Sequence, residues 1–334
     1  MSSKVPVVLI FFRRRCALEV LQAVRGYAPE RLFLVADGGR TPEEHAGCLN
    51  VRQAVEAAVD WPCQVERLYS DGNLGCRGNI PRGISWVFNQ VEQAIILEDD
   101  TVPHLDFFRF CEEMLARYAC EPRVMMVSGT NFFPEHPGFR EQSYLFSGYG
   151  GSWGYGTWAR AWRHYDADMR LWPEAKESGL LRAMLLTAQE QAYWNRTFES
   201  VWSKTCSCDP YDYQWLFARW LQGGLSIVPR SNLVTNIGGG IEATHTKAAG
   251  CKFLGRPVQA ISWPLDHPLV VVRSATFDQD YGRFVFYGEP RPAWRRYLAK
   301  HLPRGMRNGI RSLGRSGTLR LAQLRRSIIG ARSR

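Results

Sequence analysis

Short apolar runs alternate with amphipathic stretches along the first 128 residues. Runs of apolar and β-branched residues predict strands, and apolar positions spaced three and four apart predict helices between them. The predicted strands are 5–12, 31–36, 64–69, 94–97 and 123–128, and the predicted helices are 17–27, 50–59, 80–91 and 105–118. Such alternation is typical of an α/β fold with a mostly parallel central sheet flanked by helices.

The strand predicted at 94–97 ends on three consecutive carboxylates, Glu98, Asp99 and Asp100. In open α/β sheets, ligands bind beyond the carboxyl ends of the strands, so these acids are candidates for a binding site. Adjacent carboxylates repel one another unless a cation offsets them, and oxygen ligands suit a hard ion such as Mg²⁺ or Mn²⁺. The alternative is an acidic cap for the helix that begins near Leu105.

Polar residues also follow the second and third predicted strands, and they are expected to lie on the same edge of the sheet as the three acids. No standard glycine-rich nucleotide cradle follows the first strand, which ends instead in an aromatic pair and three arginines. Arginine can neutralise phosphate, and Asp and Asn can bind a base and a ribose, which suits a nucleotide lying across the strand ends. The candidate contacts are Phe11, Arg13, Asp37, Asn73 and Arg82. As alternatives, Asp37 caps a turn, Asn73 holds a left-handed backbone position and Arg82 lies on a helix surface.

Aromatic residues are concentrated in the second half of the chain. Eight of the twelve tryptophans lie between Trp153 and Trp220, where they either form core or line a cleft for a hydroxyl-bearing ligand. A helix is predicted at 213–221, directly after Asp212. Asp212 is therefore a candidate N-cap as well as a candidate functional carboxylate.

Length and composition indicate a globular protein of one large domain or two closely associated ones, since 45% of the 334 residues are hydrophobic. The apolar run 5–12 is too short to cross a bilayer and lacks the features of a signal peptide, so no transmembrane segment is expected. Nine cysteines without paired C-x-x-C modules favour a reducing, cytoplasmic compartment.

The net charge of +10 comes from the C-terminal tail. Residues 291–334 hold thirteen Lys and Arg and no acids, so the other 290 residues carry 29 bases and 32 acids, a net charge of −3. The core is therefore not expected to bind nucleic acid. Leu and Ile lie among the basic residues of the tail, which fits a helix on an anionic membrane, at the inner face of the cell membrane. The alternative is a solvated end whose pattern is broken by Gly and Pro.

The order of these features resembles glycosyltransferases of the GT-A type, closest to N-acetylglucosaminyltransferase I and bacterial sugar transferases built like it. The shared features are Asp-Gly after the second strand, N-x-G-x-x-x-N at 73–79, and an apolar strand that ends in Glu-Asp-Asp. The resemblance implies a GT-A-type, Rossmann-like fold in which Asp100 binds Mn²⁺ or Mg²⁺ at the donor's diphosphate. It also implies that Glu98 and Asp99 lie near the donor sugar or ribose.

Later segments extend the resemblance. The sequence around Trp153 is similar to the family's Trp-Gly segment beside the donor sugar and the acceptor. The Tyr-Asp-Tyr-Gln-Trp segment resembles the helix start that supplies the general base, which implies Asp212, with Asp209 as the nearby competitor. Residues 236–246 resemble the loop that closes over the donor, where His245 is either a ligand to the metal or diphosphate, or a hydrogen-bonded loop histidine.

The resemblance implies a metal-dependent inverting glycosyltransferase that uses a nucleotide sugar, UDP-linked by preference, and a glycan or lipid-linked acceptor in cell-surface polysaccharide synthesis. Residues 1–135 would bind the donor, 136–290 would bind the acceptor within the same domain, and 291–334 would form the tail. A sugar-nucleotide pyrophosphorylase is the alternative enzyme, although 11–16 lacks the glycine-rich loop that it needs. A nucleic-acid-binding protein that uses the basic tail is the alternative from another class.

Overall fold

An eight-stranded sheet runs through the protein, and helices pack on both of its faces. The structure is a computed structural model and describes residues 4–207, 209–239 and 252–288. Its strands are β1 (Val7–Phe11), β2 (Arg31–Ala36), β3 (Gln64–Tyr69), β4 (Gln93–Glu98), β5 (Thr101–Pro103), β6 (Val124–Ser128), β7 (Tyr144–Ser147), β8 (Tyr155–Trp158), β9 (Leu225–Pro229) and β10 (Val234–Asn236). Its α-helices are α1 (Ala17–Tyr27), α2 (Pro42–Ala57), α3 (Gly75–Phe88), α4 (Leu105–Arg117), α5 (Ala159–Trp162), α6 (Trp172–Glu177), α7 (Leu180–Met184), α8 (Ala188–Trp202), α9 (Asp212–Leu221) and α10 (Ala275–Gly282).

The strand order in the large sheet is β3-β2-β1-β4-β8-β6-β9-β7. The first four strands are parallel to one another, as are β6 and β9, while β8 and β7 run antiparallel to their neighbours. A short antiparallel pair, β5 with β10, lies apart from this sheet. The predicted α/β fold, with a mostly parallel central sheet flanked by helices, is confirmed.

The strand register brings the carboxyl ends of β1 to β4 into line. Ile10 of β1 lies opposite Val35 on one side and Glu98 on the other, and Ala36 lies opposite Tyr69. Residues that follow these strands therefore share one edge of the sheet.

Several predicted elements have the observed bounds, while two helices begin five or more residues earlier than predicted. Helix α2 begins at Pro42 instead of at residue 50, because the Thr41 hydroxyl accepts a hydrogen bond from Glu44 N and caps the first turn. Helix α3 begins at Gly75 instead of at residue 80, since carboxylates from distant parts of the chain accept hydrogen bonds from its first backbone N–H groups.

Both faces of β1, β2 and β4 are largely buried, whereas β3, at the edge of the sheet, is partly exposed. In β1, Val7 and Leu9 pack into one hydrophobic cluster while Val8 and Ile10 pack into another on the opposite face. The second half of the chain adds an aromatic core of its own. Three of its tryptophans, Trp172, Trp194 and Trp220, are almost completely buried, and Trp215 is equally buried in the cluster that holds Val8 and Ile10.

The structure does not test the predictions made for the tail. Residues 291–334 lie outside the described residues, so membrane binding by the tail stays a prediction, as do the predicted boundaries at 135 and 290. Among the helices that the structure describes, none has the length and apolar character needed to cross a membrane.

Candidate functional site

A half-buried arginine holds the carboxylates at the end of β4. Arg14 Nη2 lies 2.9 Å from Asp100 Oδ2 and forms a second, shorter contact with Asp99 Oδ1. The backbone N–H of Phe12 donates to Asp99 Oδ2 at 3.3 Å. Side-chain exposures of 17% for Arg14, 6% for Asp99 and 15% for Asp100 show that all three charges lie largely out of solvent. The loop after β1 thus supplies the cation that offsets two of the three acids.

The environment of these acids disfavours their charged forms. Burial and the neighbouring charge of Asp100 raise the pKa of Glu98 to about 8. Burial likewise raises the pKa of Asp99 to about 6, although Arg14 pulls it down. Perturbed carboxyl groups at the carboxyl edge of a parallel sheet are typical of a functional site.

The segment after β10 completes the surroundings of Asp100. The carbonyl of Asp100 accepts a hydrogen bond from Ile237 N at 2.8 Å, and its Oδ1 accepts from Asn236 Nδ2 at 3.3 Å. At Gly238, a Cβ atom would collide with Asp100 Oδ2. Glycine is therefore required there if this backbone is to lie directly against the carboxylate.

Asp37 joins the end of β2 to the start of α3. Its Oδ1 accepts hydrogen bonds from Leu74 N at 2.8 Å and Gly38 N at 2.9 Å, and its Oδ2 accepts from Gly75 N at 2.9 Å and Asn73 Nδ2 at 3.0 Å. These contacts give Asp37 the turn-capping role that the sequence left open. A nucleotide contact by the same side chain stays a prediction.

Asn73 and Arg82 lie at the same edge of the sheet. Asn73 donates to the Gly38 carbonyl at 2.9 Å and accepts from Arg40 Nε at 3.3 Å. Arg82 is exposed and donates to Ser70 Oγ, directly after β3, at 2.7 Å. Both side chains are thus positioned beside the strand ends, and their contact with a nucleotide stays a prediction.

Phe11 and Arg13 have different surroundings from each other. Phe11 is buried in the core, with its ring edge-on to Tyr69 at 6.3 Å between centroids. Arg13 is exposed and lies 3.6 Å from Glu44. Both were predicted to contact the nucleotide, and this remains a prediction; the arginine that reaches the carboxylates is the next residue, Arg14.

A tyrosine connects the carboxylates to the start of α9. The buried Tyr211 donates its hydroxyl to Glu98 Oε1 at 3.0 Å. The next residue, Asp212, is the first residue of α9 instead of its N-cap, and its Oδ1 accepts from Tyr213 N at 3.0 Å. The charge of Asp212 contributes to the raised pKa of Glu98. Asp212 therefore lies close enough to the carboxylates at the end of β4 to affect the protonation of Glu98.

Asp209, the competitor for the role of base, turns away to α3. Its Oδ2 accepts a hydrogen bond from Arg77 N at 3.2 Å, and a Cβ at Gly75 would press on the same oxygen. Asp209 thus stabilises the first turn of α3.

A cavity of about 140 Å³ adjoins α9. Trp153, which lies between two glycines with positive φ at 150 and 154, lines it and packs edge-on against Phe132. Nearly half of the residues that line the cavity are aromatic, and a few carry charged or hydroxyl groups. The lining includes Phe132, Trp153, Asp212, Trp215, Arg219 and Tyr281.

The donor set at Asp100 suits a hard divalent cation, because carboxylate oxygens are the ligands that Mg²⁺ and Mn²⁺ prefer. Within the described ranges, no group of three or more His, Cys, Asp or Glu side chains is arranged to hold a metal ion. A cation at Asp100 would have to displace Arg14 from the carboxylate. His245, the second predicted ligand, lies outside the described residues.

Sequence reasoning did not single out Arg14 and Tyr211. Arg14 is one of three consecutive arginines, and their order alone does not say which of them turns toward the acids. Tyr211 precedes the predicted base directly, and that adjacency was the only local signal for its contact with Glu98.

No protein-family model matches the sequence, and a search of curated proteins gave no match. Among solved structures, the chain is similar to a mannosyltransferase from Pyrobaculum calidifontis in complex with GDP-Man and Mn²⁺. That match has 9% identity and a TM-score of 0.36, and covers 66% of this chain and 70% of that one. HddC from Yersinia pseudotuberculosis complexed with GMP-PN has 10% identity and a TM-score of 0.29, covering 47% of this chain and 77% of that one.

A second structure of HddC matches over 33% of this chain and 54% of its own length, at 14% identity and a TM-score of 0.26. A UDP-glucose pyrophosphorylase complexed with UDP-glucose matches at 10% identity and a TM-score of 0.25, over 43% of this chain and 63% of that one. All these TM-scores lie below 0.5.

Proposed function

We propose that this chain is a metal-dependent, inverting glycosyltransferase. It would move a sugar from a nucleoside diphosphate sugar, UDP-linked by preference, to a hydroxyl of a glycan or lipid-linked acceptor in cell-surface polysaccharide synthesis. The observation that carries the proposal is the hydrogen bond from Tyr211 to Glu98, which ties the carboxylates at the strand ends to the helix that begins with Asp212.

On the donor side, Asp37, Asn73 and Arg82 line the sheet edge where a nucleotide would lie. Asp100 would hold Mn²⁺ or Mg²⁺, which offsets the negative charge that develops on the departing diphosphate. Arg14, once released from Asp99 and Asp100, would bring a guanidinium within reach of the same phosphates, where it can bind two oxygens at once.

On the acceptor side, Asp212 would take the proton from the attacking hydroxyl. A neutral hydroxyl is a weak nucleophile, so a carboxylate within hydrogen-bond reach is needed as the bond to the anomeric carbon forms. The C–O bond to the diphosphate breaks as the new bond forms on the opposite face of the sugar. One in-line displacement of this kind inverts the anomeric centre.

Binding of a donor panel tests the proposal. In the presence of Mn²⁺, at least one nucleoside diphosphate sugar should raise the thermal midpoint of the wild-type protein, and Asp100→Asn should remove that increase. Asp168→Asn is the matched control, since Asp168 is an exposed aspartate whose side chain is 63% accessible. A panel that leaves the wild-type midpoint unchanged, with and without metal, would contradict the proposal.

The pyrophosphorylase alternative has a different product. A pyrophosphorylase consumes the nucleotide sugar only with pyrophosphate and forms a nucleoside triphosphate, whereas a glycosyltransferase releases the nucleoside diphosphate. Turnover that depends on pyrophosphate would therefore favour the alternative.

A further inference from the structure

The cavity beside α9 is lined by aromatic rings that pack against one another. Phe132 lies edge-on to Trp153, with 6.1 Å between ring centroids, and stacks on Tyr281 at 5.8 Å. Tyr149 stacks on the other side of this group, 5.5 Å from Tyr281, and also lies 5.5 Å from Phe286. All five residues line the cavity, and most of its accessible surface is apolar.

Several polar groups of the lining are already bound within the protein. Thr130 Oγ1 donates to the Trp153 carbonyl at 2.9 Å. The Tyr149 hydroxyl donates to Glu190 Oε1 at 2.7 Å and accepts from Trp194 Nε1 at 3.0 Å. These hydroxyl groups are therefore committed to other partners and are poorly placed to bind the hydroxyls of a ligand.

Two nitrogen donors of the lining are out of reach. Trp215 Nε1 and Arg219 Nε are covered by other atoms, so a ligand in the cavity cannot meet them. Of the two charged residues in the lining, Arg219 is 2% exposed while Asp212 is half-buried. Asp212 is therefore the more accessible of the two charges.

A cavity with these walls offers few partners to water or to a fully hydroxylated sugar. A water molecule in a cavity needs two to four polar partners, and a buried hydroxyl without a partner is unfavourable. The alternative is a packing void, but close-packed interiors leave few voids larger than one water molecule. An apolar group therefore fits this cavity better than water or a bare sugar ring does.

The volume of the cavity sets the size of that group. In another protein, an apolar cavity of about 150 Å³ binds benzene. The cavity beside α9 measures about 140 Å³, so it has room for one six-membered ring. Because Asp212 belongs to the lining, a hydroxyl next to such a ring would lie near the residue proposed as the base.

We propose that this cavity binds a compact apolar group, the size of one six-membered ring, that the acceptor carries close to its reacting hydroxyl. The ring packs among Phe132, Trp153 and Tyr281, and the hydroxyl points toward Asp212. The inference rests on the proposed function and deepens it by naming the class of acceptor: a substituted, amphipathic one instead of an unmodified glycan.

Binding of matched glycosides to the full-length chain tests the inference. The probes are the methyl, benzyl, cyclohexylmethyl and octyl glycosides of glucose, galactose and N-acetylglucosamine, titrated by calorimetry. For at least one sugar, a ring-bearing glycoside should bind about tenfold more tightly than the methyl glycoside, because burial of about 60 Å² of apolar surface at about 25 cal/mol per Å² gives that factor. The benzyl and cyclohexylmethyl probes separate an aromatic from an aliphatic ring, and a preference for either supports the inference.

Filling the cavity should remove this preference. Val285 lines the cavity and is half-buried, so Val285→Phe places an additional ring in the space that the ligand needs. The matched control is Val272→Phe, the same substitution at a valine that is 64% exposed and outside the lining, and it should leave the preference intact.

A second variant keeps the test decisive if Val285→Phe does not fold. Trp153→Ala removes one aromatic wall from a half-buried position and enlarges the cavity. It should shift the preference from the benzyl glycoside to the larger naphthylmethyl glycoside. An unchanged order of the two affinities would contradict the inference.

Equal binding of the methyl and ring-bearing glycosides by the wild-type protein would overturn the inference. Tighter binding of the octyl glycoside than of either ring-bearing one would overturn it as well, because the ligand would then be a lipid chain. A preference that survives Val285→Phe would place the ring elsewhere and would also overturn it.

Nucleotide-sugar binding is measured in the same samples by the shift in thermal midpoint, so that the two proposals fail separately. A protein that binds a nucleotide sugar and shows no preference for a ring-bearing glycoside contradicts only the inference. A protein that shows the preference and binds no nucleotide sugar contradicts the proposed function, while the class of group bound in the cavity still holds.

Discussion

Removing the guanidinium of Arg14 should destabilise the fold in a pH-dependent way. Arg14→Met keeps most of the side-chain volume and leaves Asp99 and Asp100 without their cation. At 2.9 Å and an effective dielectric constant of about 20, the attraction between Arg14 and Asp100 alone is about 6 kcal/mol. Desolvation of the three groups offsets much of this attraction. Since breaking a buried ion pair costs about 3–5 kcal/mol and these side chains keep some exposure, we expect a loss of about 3 kcal/mol.

The sign of the pH dependence follows from Asp99. Its pKa is already raised to about 6 in the folded protein, against 3.8 for an ordinary Asp, because burial outweighs Arg14. A carboxyl group with a higher pKa in the folded state stabilises the fold below its unfolded pKa, and that contribution is lost as the pH rises through the folded pKa. Without Arg14 the pKa of Asp99 should rise further. The free energy of unfolding should therefore fall below wild type by less at pH 4.5 than at pH 8, because the Asp99 part of the loss is present only at the higher pH.

Urea unfolding followed by circular dichroism at these two pH values measures the effect. Arg15→Met is the control, because Arg15 is exposed and lies in the same loop. An Arg14→Met protein that matches Arg15→Met at pH 8, or that loses as much stability at pH 4.5 as at pH 8, would refute the reasoning.

Three further predictions concern the surroundings of the site. The raised pKa of Glu98 makes its ionisation unfavourable in the folded state, so in urea titrations Glu98→Gln should lose less stability than wild type between pH 5 and pH 8. An equal loss in the two proteins would contradict this prediction. Asp37→Ala should lower the free energy of unfolding by about 1–3 kcal/mol, since it leaves backbone N–H groups at the start of α3 without acceptors. A loss below about 0.5 kcal/mol would show that these N–H groups do not depend on Asp37. Gly238→Ala should weaken Mn²⁺ binding in calorimetry, because the added methyl group collides with Asp100; unchanged affinity would show that the loop yields without moving the carboxylate.

The first half of the fold was predictable because its signals are local. Helix α1 and strands β2 and β3 have the predicted bounds, since apolar residues with the matching spacing mark α1 and β2, and a clear break follows each of the three elements. The start of α2 was missed although Thr41 and Glu44 form a capping pattern, because its first two turns have weak apolar periodicity. The antiparallel insertion of β8 between β4 and β6 depends on long-range pairing and left no pattern in the sequence.

The same distinction between local and long-range signals applies to the candidate site. The carboxylates at the end of β4 were predictable, because an apolar strand that stops on three acids is visible in the sequence alone. Their cation was not, since Arg14 reaches them across more than eighty residues of chain. The sequence also does not show that Arg219 Nε and Trp215 Nε1 lack hydrogen-bond partners, because only packing decides which polar atoms are unpaired.

Turnover of a nucleotide-sugar panel with Mn²⁺ and an acceptor panel, followed by NMR, tests glycosyl transfer with Asp212 as the base most directly. This mechanism predicts release of a nucleoside diphosphate and a product of inverted anomeric configuration. The Asp212→Asn variant should lower the transfer rate about 10²- to 10⁴-fold, and Asp209→Asn should lower it far less. Retention of configuration, or an Asp212→Asn protein that transfers sugar at the wild-type rate, would contradict it.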